Sequence, residues 1–155
     1  MISDLPILKK AIGLNFDSFF SNIWRSKAVQ TYIEFLNKDQ LKRSEDSKGV
    51  QLSYKDNNGN IRTGYSPLTA KLSKGRKKIG QPFNLFDTGE FYKSIKATPE
   101  LRGVDIDADF IKEDDNLEKK FGKDIIGLTN ENIQKLQEFI KPIVVLNIKK
   151  ELKLL

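Results

Sequence analysis

The side chains that most often carry catalysis are missing from this 155-residue sequence, which contains neither histidine nor cysteine. Their absence excludes thiol nucleophiles, Cys/His zinc sites, imidazole acid–base catalysis and a Ser-His-Asp arrangement within one chain. The adjacent acids Asp114 and Asp115 point apart on a strand or a helix, so they do not form the facing pair that carboxylate catalysis needs. We therefore predict no catalytic residues and no enzymatic activity.

Two groups of oxygen-bearing side chains resemble metal ligands, and each has a simpler interpretation. In residues 56–60 the glycine stands fourth and no glutamate closes the loop, which argues against calcium. Asp105, Asp107 and Asp109 alternate with apolar residues along a predicted strand over residues 104–111. Neighbours on one strand face lie roughly 6.5–7 Å apart, too far to share one ion well. We therefore predict no metal site, and a strand face that meets solvent or a subunit.

Positive charge is concentrated in the middle of the chain. Residues 1–37 carry 4 basic and 3 acidic side chains, residues 38–80 carry 11 and 4, and residues 81–155 carry 12 and 14. The three net charges are therefore +1, +7 and −2. Five cations close to one another define what we call the basic segment: Lys71, Lys74, Arg76, Lys77 and Lys78.

Three interpretations of the basic segment are open. It could be a solvated loop, it could meet an acidic surface of another copy, or it could contact nucleic acid. In the third case it would form a phosphate-contacting surface together with Lys38, Lys42 and Arg43. Lysine outnumbers arginine 22 to 5. Direct readout of bases favours arginine, so sequence-specific DNA binding is the least favoured form of that contact.

Apolar periodicity predicts helices at both ends of the chain. An aromatic stripe between residues 16 and 24 predicts a helix that starts at Asn15 or Asp17, and a second stripe extends to Leu41. Thr129 is expected to cap the last helix, which Pro142 should kink or divide. A further short helix is expected near the N-terminus, with Ser3 or Asp4 as its cap.

The centre of the chain has β and turn signals instead. Asn58-Gly59 predicts a hairpin, and residues 66–82 are interpreted as a basic mobile arm or loop. Asp87 and Glu90 have the spacing of a capping box before a short helix. Residues 1–155 are thus predicted to form one α+β domain, with N-terminal helices, a β-hairpin, a small antiparallel sheet and a C-terminal helix.

The apolar C-terminal residues Leu154 and Leu155 are expected to pack, either on the chain's own core or on a neighbour. No stretch approaches the roughly 20 apolar residues of a membrane span, so we predict no membrane contact.

Three blocks in order carry a resemblance to a known family. They are Tyr65-Ser66-Pro67, then the eleven residues from Leu85 through Asp87-Thr88-Gly89 to Ile95, then Phe121-Gly122 with Ile126-Gly127-Leu128-Thr129. In that order they resemble the tail-completion and head–tail joining proteins of tailed bacteriophages, over roughly residues 50–140. The sequence departs from that pattern at Phe91-Tyr92, where many members carry Leu-Arg.

The resemblance implies a noncatalytic virion structural protein without a cofactor. Such a protein forms a homo-oligomeric ring at the portal neck or the tail end and docks onto portal, neck or tail proteins. It is located in the virion after assembly in the host cytoplasm. The alternative drawn from charge alone is a nucleic-acid-associated basic module that contacts DNA without sequence preference.

Overall fold

A computed structural model describes residues 15–112 and 115–154 of the chain, and these residues have a mixed α+β architecture. The six α-helices of this part are α1 (Phe16–Trp24), α2 (Lys27–Lys42), α3 (Pro67–Leu72), α4 (Glu90–Ser94), α5 (Leu117–Phe121) and α6 (Asn130–Glu151). Its strands are β1 (Tyr54–Lys55), β2 (Ile61–Arg62), β3 (Lys96–Glu100), β4 (Gly103–Asp107), β5 (Ile111–Lys112) and β6 (Asp115–Asn116). The predicted fold class is confirmed. The helix expected near Ser3 or Asp4 lies outside the described residues.

Side-chain caps fix the starts of α1, predicted at Asn15 or Asp17, and of α6, predicted at Thr129. The Asn15 side chain accepts the Ser18 N–H at 3.0 Å at the start of α1. The Thr129 hydroxyl accepts the Asn132 N–H at 3.2 Å at the start of α6. Both bonds satisfy donors that a helix leaves free in its first turn, and both expectations are confirmed.

The six strands of the described residues form three antiparallel pairs, β1 with β2, β3 with β4 and β5 with β6. The longest pair runs in register from Lys96 opposite Asp107 to Glu100 opposite Gly103. In the β1–β2 hairpin the Asp56 carboxylate accepts the N–H groups of Asn58 and Asn60 at 3.0 and 2.9 Å. The predicted hairpin is confirmed, although only Gly59 in its turn has a positive φ, at 80°.

Two apolar clusters make up the core. One gathers buried side chains of the central segments, including Leu41, Phe83, Phe91, Ile95 and Ile125. The other lies between α1, α2 and α6 and is built on Ile23, Val29, Ile33 and Ala97. The β3–β4 hairpin joins the two clusters, because Ile106 packs against both.

The long helix α6 contains Pro142, which was predicted to kink or divide it. It continues through Pro142, so the proline does not divide it. Of the apolar residues that recur at helical spacing along α6, Ile133 is 39% exposed, while Leu136, Phe139, Ile140 and Ile143 pack against the second cluster. Beyond the helix Leu154 is 51% exposed and does not pack into the core, and Leu155 lies outside the described residues.

Candidate interaction site

The segment predicted to be a mobile arm contains regular structure. Ser66 caps α3, accepting the Thr69 N–H at 3.1 Å, and the chain then returns beside its own start. There the Tyr65 N–H donates to the Gln81 carbonyl at 3.0 Å and the Gly80 N–H donates to the Tyr65 carbonyl at 2.9 Å. A Cβ at Gly64 would lie 2.7 Å from the Gly80 carbonyl oxygen, so this return requires glycine. The expected irregular loop is therefore corrected to a short helix and a closed turn, and its mobility stays a prediction.

Lys77 separates from the other cations of the basic segment. Its residue surface is only 7% exposed, whereas Lys71, Lys74, Arg76 and Lys78 are exposed. The Lys77 ammonium donates to Asn84 Oδ1 at 2.7 Å and to the Phe86 carbonyl oxygen, and lies 4.6 Å from the centre of the Tyr65 ring. The five predicted cations therefore do not share one surface.

Burial lowers the pKa of Lys77 from 10.5 to about 8. The cations Lys112 and Arg76 lower it further, and the opposing charge of Asp87 only partly offsets these effects. A buried ammonium in cationic surroundings favours loss of its proton, and this explains the direction of the shift.

We expect this pKa to make stability depend on pH. Between pH 8 and 10.5 the unfolded chain keeps the Lys77 proton that the folded chain has released, so the free energy of unfolding rises with pH there. Lys77→Met should remove about 1 kcal/mol of that rise. This is less than the full pKa shift would give, because the pocket that the Lys77 side chain lines is partly open to solvent, which screens the charge. Denaturant titration below pH 8 and near pH 10.5 measures it, with Lys78→Met as the exposed control. Equal pH dependence in wild type and Lys77→Met would contradict the assignment.

Asp87 does not form the predicted capping box. Helix α4 begins after Gly89, whose φ is 86°, and no side chain caps it. Asp87 instead pairs with Lys112 and, at 3.1 Å, with Arg76. The hydrogen bond from Lys112 lowers the pKa of Asp87. The carboxylate is drawn away from the helix because two distant cations form stronger, charge-assisted bonds with it.

Asp87→Ala and Thr88→Ala should therefore differ, whereas a capping box would make both costly. We expect Asp87→Ala to destabilise the fold by about 1 kcal/mol, because Lys112 and Arg76 lose their shared carboxylate. Thr88→Ala should stay within about 0.5 kcal/mol, since its hydroxyl accepts only the long 3.4 Å bond from the Glu90 N–H. Thermal or denaturant unfolding of the two variants checks this. Equal losses would restore the capping interpretation.

Lys77 and Asp87 both line a pocket of about 300 Å³, which we call the cationic pocket. Its charged groups are Arg76, Lys77, Asp87, Lys112, Asp115 and Lys120, and its aromatic groups are Tyr54, Tyr65, Phe83 and Phe121. The rings of Tyr65 and Phe83 lie 5.0 Å apart, and those of Phe83 and Phe121 lie 5.2 Å apart. Neither the pocket nor its members Lys112 and Lys120 were predicted. Nothing in the sequence links segments so far apart in the chain.

The aspartates of the predicted acidic strand face do not line the cationic pocket. Asp105, Asp107 and Asp109 are exposed, as predicted, but β4 ends at Asp107. Asp109 lies beyond the strand, with its N–H donating to the Ser94 hydroxyl at 3.0 Å. Within the described residues no ion pair connects these aspartates to the basic segment.

An aromatic patch lies where α2 meets α6. It consists of Tyr32, Phe35 and Phe139. The Tyr32 and Phe139 rings are stacked 4.2 Å apart, and the Phe35 ring is stacked on the Tyr32 ring at 6.1 Å. Phe35 is 55% exposed, and the concave surface beside it is lined almost wholly by apolar atoms.

Comparison with protein-family models, curated proteins and solved structures finds no match for this chain. In residues 15–112 and 115–154 no helix is both long and apolar enough to cross a bilayer. The same residues contain no group of three or more acidic side chains placed to hold a metal ion.

Proposed function

We propose that the chain is a noncatalytic structural subunit of a tailed-bacteriophage virion. In this proposal it forms a homo-oligomeric ring at the head–tail connector or the tail end and joins portal and tail proteins. The resemblance in three ordered blocks supports the family. The observation that carries the assembly role is the aromatic patch, since exposed apolar clusters on small domains mark contact surfaces.

Charge favours a ring over a two-fold dimer. The basic segment exposes Lys71, Lys74 and Lys78, while β4 exposes Asp105 and Asp107 elsewhere on the same domain. A contact between unlike surfaces is head-to-tail, and such contacts close into rings when the rotation between copies allows it. Exposed ion pairs contribute only about 0–1 kcal/mol each, so the apolar side chains must supply most of the stability and the charges orient the contact.

Mass measurement of the purified chain, together with imaging of the virion that contains it, tests the proposal. A closed ring at the neck or tail end is the expected result. A virion without a ring of this chain at either position would contradict the proposal, whatever the mass of the purified chain in dilute solution.

A second candidate is a nucleic-acid-associated module. The exposure of Lys71, Lys74 and Lys78 on one short segment favours it, although burial removes Lys77 from any such surface. Phosphate binding should fall on the order of 10³-fold between about 50 and 200 mM salt if six contacts form. DNA binding with that salt dependence, in a chain that stays monomeric, would favour this candidate over the ring.

A further inference from the structure

Among the described residues, the lining of the cationic pocket carries more positive than negative charge. Four cations line it, Arg76, Lys77, Lys112 and Lys120, against two carboxylates. Asp87 is shared between Arg76 and Lys112, and Asp115 pairs with Lys120 at 2.9 Å. The formal balance of four positive and two negative groups is +2.

Within the part of the chain that the structure describes, Lys77 is the pocket cation that forms no ion pair with a carboxylate. Its two hydrogen-bond acceptors in the described residues, Asn84 Oδ1 and the Phe86 carbonyl, are both neutral. An ammonium has three N–H donors, so these two oxygens leave one for another acceptor. A buried charge is costly unless it is paired, and an anion entering the pocket would offset that cost.

We propose that the cationic pocket binds a carboxylate-bearing, partly apolar segment of a protein partner. The cations of the lining would bind the carboxylate, and the rings of Tyr54, Tyr65 and Phe83 together with Leu72 would contact the apolar part. A volume of about 300 Å³ suits one acidic side chain with an apolar neighbour rather than a whole fold. This inference does not require that the chain forms a ring or belongs to a virion.

The aromatic rings favour a peptide over a nucleic acid. Binding of single strands uses free ring faces on which bases stack. Here the Lys77 ammonium lies over the Tyr65 ring at 4.6 Å, and the Lys120 ammonium lies over the Tyr54 ring at 4.8 Å. The Arg76 guanidinium, the group best suited to a phosphate, already donates to the Ser73 carbonyl and pairs with Asp87.

A matched pair of dipeptides tests the proposal on the full chain. The probes are N-acetyl-aspartyl-phenylalaninamide and its neutral isostere N-acetyl-asparaginyl-phenylalaninamide, and inorganic phosphate serves as a third. In NMR titrations the acidic dipeptide should shift the resonances of Lys77, Lys120 and Tyr65 saturably, with the neutral dipeptide about tenfold weaker. Bound carboxylate should also raise the pKa of Lys77, because a nearby negative charge favours the ammonium.

Variants assign the effect to the pocket. Lys77→Met and Lys120→Met should each weaken the acidic dipeptide by about tenfold, and Lys78→Met, which lies outside the pocket, should change its affinity by less than about twofold. Lys120 is partly exposed, so its variant keeps the test valid if Lys77→Met fails to fold.

Three outcomes would overturn the proposal. Equal affinity for both dipeptides would mean that the carboxylate is not recognised. Binding of phosphate but not of the acidic dipeptide would assign the pocket to phosphate-bearing ligands. Binding of none of the three would leave the cations as a structural network, with Lys77 fastening the turn to Asn84. Each result is independent of the mass and imaging measurements that test the proposed ring.

Discussion

Gln40→Met is expected to lower the free energy of unfolding by about 3 kcal/mol, the largest stability effect we predict for a single side chain. Gln40 is fully buried in α2 and ties that helix to the turn that leads into α6. Its Nε2 donates to the Gly127 carbonyl at 3.1 Å, and its Oε1 accepts the Thr129 N–H at 2.9 Å and Asn132 Nδ2 at 3.1 Å.

Methionine has nearly the volume and flexibility of glutamine, so this variant removes the hydrogen bonds without leaving a cavity. Gly127 and Thr129 would remain in place without these partners, and Asn132 Nδ2 would keep only its bond to the Leu36 carbonyl. Each buried polar group left unpaired costs about 1–3 kcal/mol, which supports the summed figure after partial relaxation. A loss of this size is a large part of the roughly 5–15 kcal/mol that a domain has.

Denaturant unfolding of Gln40→Met beside Gln137→Met measures the effect. Gln137 is exposed on α6, so its replacement should stay within about 0.5 kcal/mol. A Gln40→Met variant as stable as this control would mean that the contacts between α2 and the 127–132 segment do not support the fold.

Local signals in the sequence predicted local structure well. Asn15 and Thr129 cap their helices because each cap needs only an N–H three residues away. Gly59 turns its hairpin for an equally local reason, a positive φ that glycine adopts without strain. In all three cases the structure depends on residues within three positions of one another in the chain.

Predictions failed where a distant partner competed. The spacing of Asp87 and Glu90 predicts a capping box, but Lys112, 25 residues away, takes the carboxylate. A solvated loop was one of the three interpretations of the basic segment, and four of its cations are exposed, but Asn84 and the Phe86 carbonyl hold Lys77 in a buried position. Charged side chains in a row carry no sign of which one will be buried.

The cationic pocket could not be predicted from the sequence either, because segments far apart in the chain form it. Its lining comes from the first hairpin, the basic segment, the 83–87 loop and the β5–α5 region. The burial of Gln40 could not be predicted either, since a polar residue on a helix is typical of the solvent face and no neighbouring residue indicates that it is buried. The apolar stripe of α2, in contrast, was predicted, and Phe35 lies beside it at an exposed position of the same helix.

Phe35→Glu is expected to abolish self-assembly while leaving the subunit folded. Phe35 is 55% exposed, so the charge can be solvated in the free subunit, and the effect on subunit stability should be within about 0.5 kcal/mol. In a contact between copies the same carboxylate would be buried against Tyr32 and Phe139 without a partner.

The size of the loss follows from burial. Burying a phenylalanine side chain contributes about 1.5–3 kcal/mol, and losing it alone weakens each contact by about ten- to a hundredfold. The unpaired carboxylate adds to this loss. In a ring every subunit carries the substitution, so every contact between subunits is weakened.

Sedimentation and imaging of wild type, Phe35→Glu and Ile61→Glu distinguish the patch from a general effect of added charge. Ile61 is 67% exposed on the β1–β2 hairpin, away from the patch, and its variant adds the same charge to a similarly exposed apolar position. We expect rings from wild type and Ile61→Glu, and folded monomers from Phe35→Glu. Rings of unchanged mass from Phe35→Glu would exclude the aromatic patch from the subunit contact, because a buried carboxylate beside two stacked rings would not leave the association unaffected.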